Sequence, residues 1–245
     1  MAGTQSDKVA LVIGAGDGTG GAIARRFARE GFVACVARRT AEKLQPLVRE
    51  IEAVGGRARA FGADARREEQ MVALVEEIER DVGPIEVAVF NVGANVPASI
   101  LEETARKYFK IWEMACFGGF LMGREVARRM VGRKRGSILY TGATASIRGR
   151  EHFAAFSGAK HALRALAQSM ARELGPQGIH VAHVVIDGAI DTEFIRTTFP
   201  ETYARKAEGG ILDPDHIAEH FWMLHAQPRD TWTFELDLRP WSERW

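Results

Sequence analysis

Glycines fill the turn that follows the first apolar run of the chain. That run, KVALVI at residues 8–13, is typical of a buried strand, and an amphipathic stretch begins soon after it. The turn and its end contain Gly14, Gly16, Asp17, Gly18, Thr19 and Gly20. A glycine-rich turn between a strand and a helix lets the backbone approach a phosphate, which then lies at the helix N-terminus. The turn therefore predicts a site for the pyrophosphate of a dinucleotide.

Arg38 and Arg39 follow the second apolar run, where many dinucleotide sites carry an acidic residue that binds the ribose hydroxyls. Two guanidinium groups favour a bidentate contact with a 2′-phosphate instead. We therefore expect NADP(H) to be preferred. NAD(H) is the alternative, since Asp17 places a carboxylate close to that phosphate. In a further interpretation, the arginines are only solvated loop charges.

Short apolar runs alternate with longer amphipathic stretches, which indicates strands separated by helices. The predicted strands cover residues 8–13, 32–37, 57–62, 85–90, 137–141, 179–186 and 231–238. The predicted helices cover residues 19–30, 40–54, 67–81, 105–131, 152–174 and 214–226, with short helices within 193–208. Such alternation implies right-handed crossovers between parallel strands. We expect one α/β domain over residues 1–245, a Rossmann-type doubly wound parallel seven-stranded sheet with helices on both faces.

The composition excludes several classes of partner. There are 33 Lys and Arg residues against 32 Asp and Glu, so we expect neither nucleic acid nor an anionic membrane as a partner. No apolar run reaches the length of a membrane span, and the first residues lack an apolar signal core, which favours a cytoplasmic protein. The two cysteines, Cys35 and Cys116, lie in apolar stretches, so we expect neither a disulfide nor a metal site.

Together these motifs resemble the short-chain dehydrogenase/reductase family, and the resemblance covers about residues 8–238. The spacing of Gly14, Gly18 and Gly20 matches the family's cofactor turn. Further matches are Asp64 with Ala65, Asn91 with Gly93, and Gly188 with Ile190 and Thr192. The resemblance implies that the first pair contacts the adenine, the second supports the adenosine half, and the third group holds the nicotinamide amide. Asp187 stands where the family usually has proline.

The family's chemistry normally uses Asn, Ser, Tyr and Lys, and only the lysine is present here. Lys160 lies four residues after Phe156 on the same predicted helix face, and Phe156 occupies the tyrosine position. Ala143 occupies the serine position and Ala115 the asparagine position. The resemblance implies that Lys160 binds the nicotinamide ribose, while the hydroxyls that protonate and steady a carbonyl oxygen are lost. Losing a general acid lowers the rate about 10²–10⁴-fold, and losing an oxyanion donor about 10²–10³-fold.

Other residues near the lost hydroxyls are candidates for proton delivery. His152 lies four residues before Phe156, and histidine titrates near neutral pH, although a surface histidine is the alternative. Thr141, which could face the cofactor, and Ser157 carry hydroxyls nearby, and each also fits a structural role. Two functions follow. One is an NADP-dependent oxidoreductase acting on a carbonyl or alcohol with atypical proton delivery, and the other is a non-catalytic NADP(H)-binding sensor or partner subunit.

Apolar residues on the two long helices predict self-association. They are Phe109, Trp112, Phe117, Phe120, Ala162, Ala165 and Ala167. In the family these helices commonly pack against their copies, which implies a homodimer or homotetramer; alternatively, the residues only face the sheet. Trp241 and Trp245 lie in the last residues, and we expect this tail to dock on its own chain or a neighbour. Residues 191–212 would contact a substrate and carry no chemical signature that identifies it.

Overall fold

The computed structural model describes residues 7–244. Its strands are β1 (Val9–Ile13), β2 (Val33–Arg38), β3 (Arg57–Gly62), β4 (Ile85–Phe90), β5 (Ser137–Thr141), β6 (His180–Ile186) and β7 (Glu235–Leu238). Its α-helices are α1 (Thr19–Arg29), α2 (Gln45–Ala53), α3 (Glu68–Asp81), α4 (Ala105–Trp112), α5 (Gly118–Arg133), α6 (Ala154–Leu174), α7 (Glu193–Thr198), α8 (Pro200–Ala204) and α9 (Pro214–Ala226). The predicted strands and helices occur in the predicted order.

All seven strands join one sheet in the order β3-β2-β1-β4-β5-β6-β7, and every neighbouring pair is parallel. This confirms the predicted doubly wound sheet. The strand order changes direction between β1 and β4, and a crevice opens at that point along the carboxyl edge of such a sheet. Gly14, Asn91 and Gly142 directly follow β1, β4 and β5, so all three lie at this edge.

Helices cover both faces of the sheet. Helices α3, α5 and α6 pack on one face, where Met71, Leu121 and Leu163 are buried. Helices α1, α2 and α9 pack on the other, around Phe27 and Phe221. Burying apolar surface contributes roughly 25 cal/mol per Å², so these two layers supply the main stabilisation of the sheet that carries the site.

Two elements differ from the sequence prediction. The helix predicted over residues 105–131 is divided by a π-helical turn at Glu113–Phe117, which separates α4 from α5. The residue after this turn, Gly118, packs so closely that an added Cβ would lie 3.1 Å from the carbonyl oxygen of Ala65. The last strand begins at Glu235 rather than at residue 231, because Arg229–Thr231 form a short 3₁₀ turn.

The C-terminal tail contacts its own chain at three of its residues, Pro240, Trp241 and Glu243. The indole N–H of Trp241 donates to the carbonyl oxygen of Glu208 at 3.1 Å, yet the side chain is 82% exposed. Arg205 Nη2 also donates to Glu243 Oε2 at 3.5 Å, and Pro240 is buried, so the described part of the tail docks on its own chain while the Trp241 ring remains uncovered. Trp245 lies outside the described residues.

The two cysteines are buried free thiols, and burial raises the pKa of Cys35 to about 12 and that of Cys116 to about 11. Both therefore remain protonated at neutral pH. Over residues 7–244, no helix is long and apolar enough to cross a membrane. Within the same residues, no cluster of three or more His, Cys, Asp or Glu side chains could hold a metal ion. The cytoplasmic location stays a prediction.

Candidate functional site

Backbone contacts with the neighbouring strands fix the glycine turn after β1. Gly14 N donates to Ala37 O at 2.9 Å, and Asn91 Nδ2 donates to Gly14 O at 3.2 Å. Gly14 has a φ of +85°, and a Cβ added to it would lie 2.6 Å from Asn91 O. Only glycine meets both the conformation and the close approach. The turn is thus held against the ends of β2 and β4.

Gly16 and Gly93 leave space that the chain does not fill, whereas Gly20 does not. A Cβ on Gly20 would lie 2.7 Å from Gly14 O, so packing within the chain already requires that glycine. The nearest atom to a Cβ on Gly16 is Arg38 Nη1 at 3.9 Å, and a Cβ on Gly93 would meet nothing within 4 Å. Gly16 and Gly93 are therefore not demanded by the fold. They keep a cradle open beside the N-terminus of α1, where an anion is favoured.

These residues border a cleft of about 590 Å³ at the carboxyl ends of β1, β2 and β4, which we call the glycine cleft. The predicted residues that line it are Gly14, Gly16, Asp17, Gly18, Thr19, Gly20, Arg38, Arg39, Asp64, Ala65, Asn91 and Gly93. Eight further lining residues were not predicted from the sequence: Ile13, Ala15, Thr40, Lys43, Ala63, Arg66, Val92 and Met114. The described lining contains four cationic and two acidic side chains, so its net charge suits phosphate groups.

Asp64 is held by an arginine that the sequence analysis did not select. Arg66 Nε donates to Asp64 Oδ1 at 2.9 Å, and Arg66 Nη2 donates to Asp64 Oδ2 at 2.5 Å. The Arg66 guanidinium holds the pKa of the Asp64 carboxyl below its usual range, with a smaller contribution from Arg39. Any contact between Asp64 and an adenine must therefore share the carboxylate with Arg66. The spacing Asp-x-Arg is the signal that could have predicted this pair.

Lys160 lies at the junction between the glycine cleft and the end of β5. Its Nζ donates to Val92 O at 3.2 Å and to Thr141 O at 2.8 Å, which leaves one of its three N–H groups for a ligand. The side chain is 3% exposed, and burial lowers the pKa of Lys160 to about 8. Its Nζ also lies 5.8 Å from the centre of the Phe156 ring. The ammonium thus faces an aromatic ring that has no hydroxyl.

A second cavity of about 310 Å³ lies beside Lys160, and we call it the Phe156 pocket. Its lining residues are Asn95, Thr141, Gly142, Ala143, Thr144, Ala145, Arg148, Arg150, Phe153, Phe156, Ser157, Ile186, Gly188 and Ile190. Thr141, expected to face the cofactor, and two of the three residues expected to hold the nicotinamide amide, Gly188 and Ile190, therefore line the same cavity. The remaining one, Thr192, lies next to the turn, with its Cγ2 3.1 Å from a Cβ added to Gly18.

The three residues that the family resemblance places at its polar positions pack together. Phe156 and Ala115 belong to one small apolar cluster between α4, the π-helical turn and α6, and Ala143 packs against this cluster. Ala115 is fully buried and Phe156 is 8% exposed. Ala115, Ala143 and Phe156 thus form one apolar contact region, while Lys160 hydrogen-bonds to the backbone.

Several polar groups remain near this cluster. The hydroxyl oxygens of Thr141 and Ser157 are buried and have no hydrogen-bond partner within residues 7–244, and both residues line the Phe156 pocket. The Ser146 hydroxyl already has a partner, since its Oγ accepts a hydrogen bond from the Ala143 N–H at 3.1 Å. His152 is exposed, has a φ of +66° and does not belong to the described lining of the pocket.

Asp187 anchors two residues of the loop after β5. Its carboxylate accepts the Thr144 hydroxyl at 2.6 Å and Arg148 Nη2 at 3.0 Å. The side chain of Asp187 is 1% exposed, so the ion pair neutralises a buried charge. This residue therefore joins the end of β6 to the loop that carries Ala143.

Comparison with known proteins assigns the family. A family model described as short chain dehydrogenase matches residues 8–202. The chain belongs to the short-chain dehydrogenase/reductase family. A solved short-chain dehydrogenase from Rhodopseudomonas palustris is 47% identical to it, with a TM-score of 0.82 over 96% of this chain and 99% of the other. The fold prediction and the family resemblance are both confirmed.

Two further relatives of this short-chain dehydrogenase/reductase carry named ligands or reactions. A metagenomic short-chain oxidoreductase solved in complex with NADP is 26% identical, with a TM-score of 0.83 over 97% of this chain and 99% of that one. The 2,3-dihydro-2,3-dihydroxybenzoate dehydrogenase of Bacillus subtilis is 30% identical over 186 residues, which are 76% of this chain and 71% of that protein. The relatives are oxidoreductases.

Proposed function

We propose that this single domain is an NADP(H)-dependent oxidoreductase that interconverts a carbonyl and an alcohol with atypical proton delivery. The observation that carries the proposal is Lys160, whose ammonium links the glycine cleft to the Phe156 pocket through Val92 O and Thr141 O. A dinucleotide fits the lining residues, because the cradle at Gly16 and Gly93 is open and the surrounding charge is positive. The relative solved with NADP supports the same cofactor class.

The chain's own residues divide the binding between the two cavities. The N-terminus of α1 and Arg38 would hold phosphates, and Asp64, Ala65 and Asn91 would border the adenosine half. Lys160 would donate its remaining N–H to the nicotinamide ribose. The residues expected to hold the nicotinamide amide are Gly188, Ile190 and Thr192. When bound, the nicotinamide supplies or accepts the hydride.

Proton delivery is the step in which this chain departs from its family. Phe156 has no proton to give and Ala143 donates no hydrogen bond to a substrate oxygen. The buried hydroxyls of Thr141 and Ser157 have no hydrogen-bond partner among residues 7–244 and would gain one from a substrate oxygen in the Phe156 pocket. His152 stays a predicted donor. Replacing it by alanine tests that role, since an unchanged rate would exclude it.

The apolar cluster around Phe156 favours a second candidate function. Ala115, Ala143 and Phe156 replace three polar residues with side chains that pack on each other. Such packing suits a protein that binds NADP(H) through Lys160 and the glycine cleft without turning over a substrate. In that function the bound dinucleotide is a ligand that reports its own concentration or stabilises an assembly.

Stopped-flow absorbance of bound NADPH against a broad panel of ketones and aldehydes separates the two functions. The oxidoreductase is expected to oxidise NADPH with at least one substrate class, and Lys160→Met should reduce this rate together with cofactor affinity. Tight NADPH binding with no turnover across the panel would establish the non-catalytic alternative. Absence of NADPH binding would exclude both.

Arg38→Asp is expected to remove the preference for NADPH over NADH. Arg38 is half-buried and its guanidinium borders the glycine turn, as the 3.9 Å distance to a Gly16 Cβ indicates. A charge-assisted contact is worth about 1.5–3 kcal/mol, so NADPH affinity should fall about 10-fold to 100-fold while NADH affinity changes little. Isothermal titration with both cofactors measures this. Arg49→Asp, an exposed arginine on α2, is the matched control, and equal effects of the two variants would contradict the assignment.

We propose that the protein forms a homodimer or homotetramer through a row of stacked aromatic rings along α4 and α5. Phe109, Trp112, Phe117 and Phe120 stack in sequence with ring centres 5.7–5.9 Å apart, and Phe109 is 57% exposed. Ala167, by contrast, is buried against the sheet and takes no part.

Light scattering after size exclusion is expected to give a multiple of 27.0 kDa, and Phe109→Glu to lower it. Phe194→Glu, at another exposed phenylalanine, should leave the mass unchanged. A wild-type mass of one chain would rule out self-association.

A further inference from the structure

Two arginines set the charge of the Phe156 pocket. Ala143 and Phe156 bring methyl and phenyl groups to its wall where the family has hydroxyls. Asp187, in place of proline, forms an ion pair with Arg148, which lines the same pocket. Arg150 lines it two residues further on. The wall thus carries two guanidinium groups beside these methyl and phenyl groups.

Arg148 is fixed in place and still has donors to spare. Only its Nη2 contacts Asp187, at 3.0 Å to each carboxylate oxygen. Its Nε and Nη1 groups have no hydrogen-bond partner in the described chain, and its side chain is 36% exposed. A guanidinium held on one edge by a buried carboxylate is preorganised to bind a second acceptor on the other edge. Arg148 therefore reaches the pocket with three unused N–H groups.

Arg150 supplies a charge that the described residues do not neutralise. Its guanidinium carbon lies 5.8 Å from the centre of the Phe153 ring. Within residues 7–244, the guanidinium forms no ion pair and no side-chain hydrogen bond. The described lining of the pocket contains no aspartate or glutamate. Since Asp187 offsets Arg148, the two arginines together leave one net positive charge at the wall.

Four bulky apolar side chains lie on the same wall, beside the polar side chains of Asn95, Thr141, Thr144 and Ser157. Phe153, Phe156, Ile186 and Ile190 surround a space of about 310 Å³, which is the lower end of the range for small-molecule sites. A single net positive charge favours a ligand with one negative charge over a ligand with two. We propose that the Phe156 pocket binds a small carboxylate, with Arg148 and Arg150 on the carboxylate and the apolar wall on its body.

This inference rests on the proposed function and narrows its substrate to a small oxo acid or hydroxy acid. The carboxylate would be held at Arg148 and Arg150, and the carbonyl or alcohol carbon would lie on the Lys160 side of the pocket. Hydride transfer and protonation would then interconvert the carbonyl with the alcohol and leave the carboxylate unchanged.

Binding to the NADPH-saturated protein tests the inference without requiring turnover. Saturation with NADPH fills the phosphate positions of the glycine cleft, so an added anion no longer binds at those positions. Isothermal titration compares benzoate with benzamide, its neutral counterpart of the same shape, and with phenyl phosphate. Benzoate is expected to bind at least about 10-fold more tightly than benzamide, since charge-assisted hydrogen bonds exceed neutral ones.

Two variants assign the effect to the arginines. Arg150→Gln removes the unneutralised charge and breaks no ion pair within the described residues, so it should fold and weaken benzoate about 10-fold while leaving benzamide unchanged. Arg148→Lys keeps a partner for Asp187 and loses the planar fork, so benzoate should weaken again. Arg172→Gln, an exposed arginine further along α6, is the matched control and should change neither probe.

Three results would overturn the inference: equal affinities for benzoate and benzamide, an unchanged benzoate affinity in Arg150→Gln, or tighter binding of phenyl phosphate than of benzoate. Failure of the proposed function is separate, because it is seen as absence of NADPH binding in the first titration. In that case, benzoate against benzamide in the cofactor-free protein still decides whether the pocket selects a carboxylate.

Discussion

The double change Ala143→Ser with Phe156→Tyr is expected to raise the rate of NADPH-dependent carbonyl reduction by about 10²–10⁴-fold. Both residues line the Phe156 pocket, and the Phe156 ring already lies 5.8 Å from Lys160 Nζ. A phenol there would bring a proton donor beside an ammonium, and a serine hydroxyl would add a donor to the carbonyl oxygen. The two gains will not simply multiply, because such groups act as a unit.

Steady-state kinetics on the carbonyl panel measures this gain, and isothermal titration checks that NADPH affinity is unchanged. Phe153→Tyr is the matched control, since it adds a hydroxyl to another ring of the same pocket at a position that is not four residues from Lys160. If the control variant gains as much as the double variant, the tyrosine position has no special role. If the double variant folds, binds NADPH and gains nothing, proton delivery is not what this chain lacks.

Burial adds a condition to this experiment. Ala115, the third replaced position, is fully buried in the same apolar cluster as Phe156. A hydroxyl at position 156 needs a partner or water, since an unpaired buried hydroxyl costs roughly 1–3 kcal/mol. Thermal unfolding should therefore show some loss of stability in Phe156→Tyr, and a smaller loss once NADPH is bound.

The parts of the site that depend on strand order and glycine spacing could be predicted from the sequence. Gly14 and Asn91 lie 77 residues apart, yet both follow strands that pair in parallel, so their meeting at one edge follows from the alternation of strands and helices. Hydrophobic runs define such strands because burial on both faces leaves no polar positions. The same argument brought Thr141 to the neighbouring cavity.

The side-chain pairings could not be predicted in this way. Whether Asp187 faces the sheet, the cofactor or Arg148 depends on a few degrees of loop geometry, and its pairing with a residue 39 positions earlier leaves no periodic signal. The π-helical turn at Glu113–Phe117 is also invisible to hydrophobic periodicity, which continues through it. Met114, which lies within this turn, lines the glycine cleft.

The free energy of unfolding of the wild type is expected to rise relative to that of Lys160→Met as the pH rises from 8 to 10.5. Burial lowers the pKa of Lys160 from 10.5 to about 8, so the unfolded chain holds a proton in this window that the folded chain has released. A gap of 10.5 minus about 8 corresponds to about 3 kcal/mol. Below pH 8 both states are protonated and the difference between the two proteins should be flat.

Urea unfolding of both proteins from pH 7 to pH 11 measures this difference, and Lys110→Met, an exposed lysine on α4, should follow the wild type in parallel.

Saturating NADPH supplies the second arm, because Lys160→Met loses the ammonium that would bind the ribose. The wild type should be stabilised by NADPH far more than the variant, with about a 10-fold to 100-fold difference in affinity at pH 7. Parallel pH curves for wild type and Lys160→Met would mean that burial of the Lys160 ammonium does not destabilise the folded state. Equal NADPH affinities would mean that the ammonium does not bind the cofactor. Together, the two results would remove the reason for placing the reaction beside Lys160.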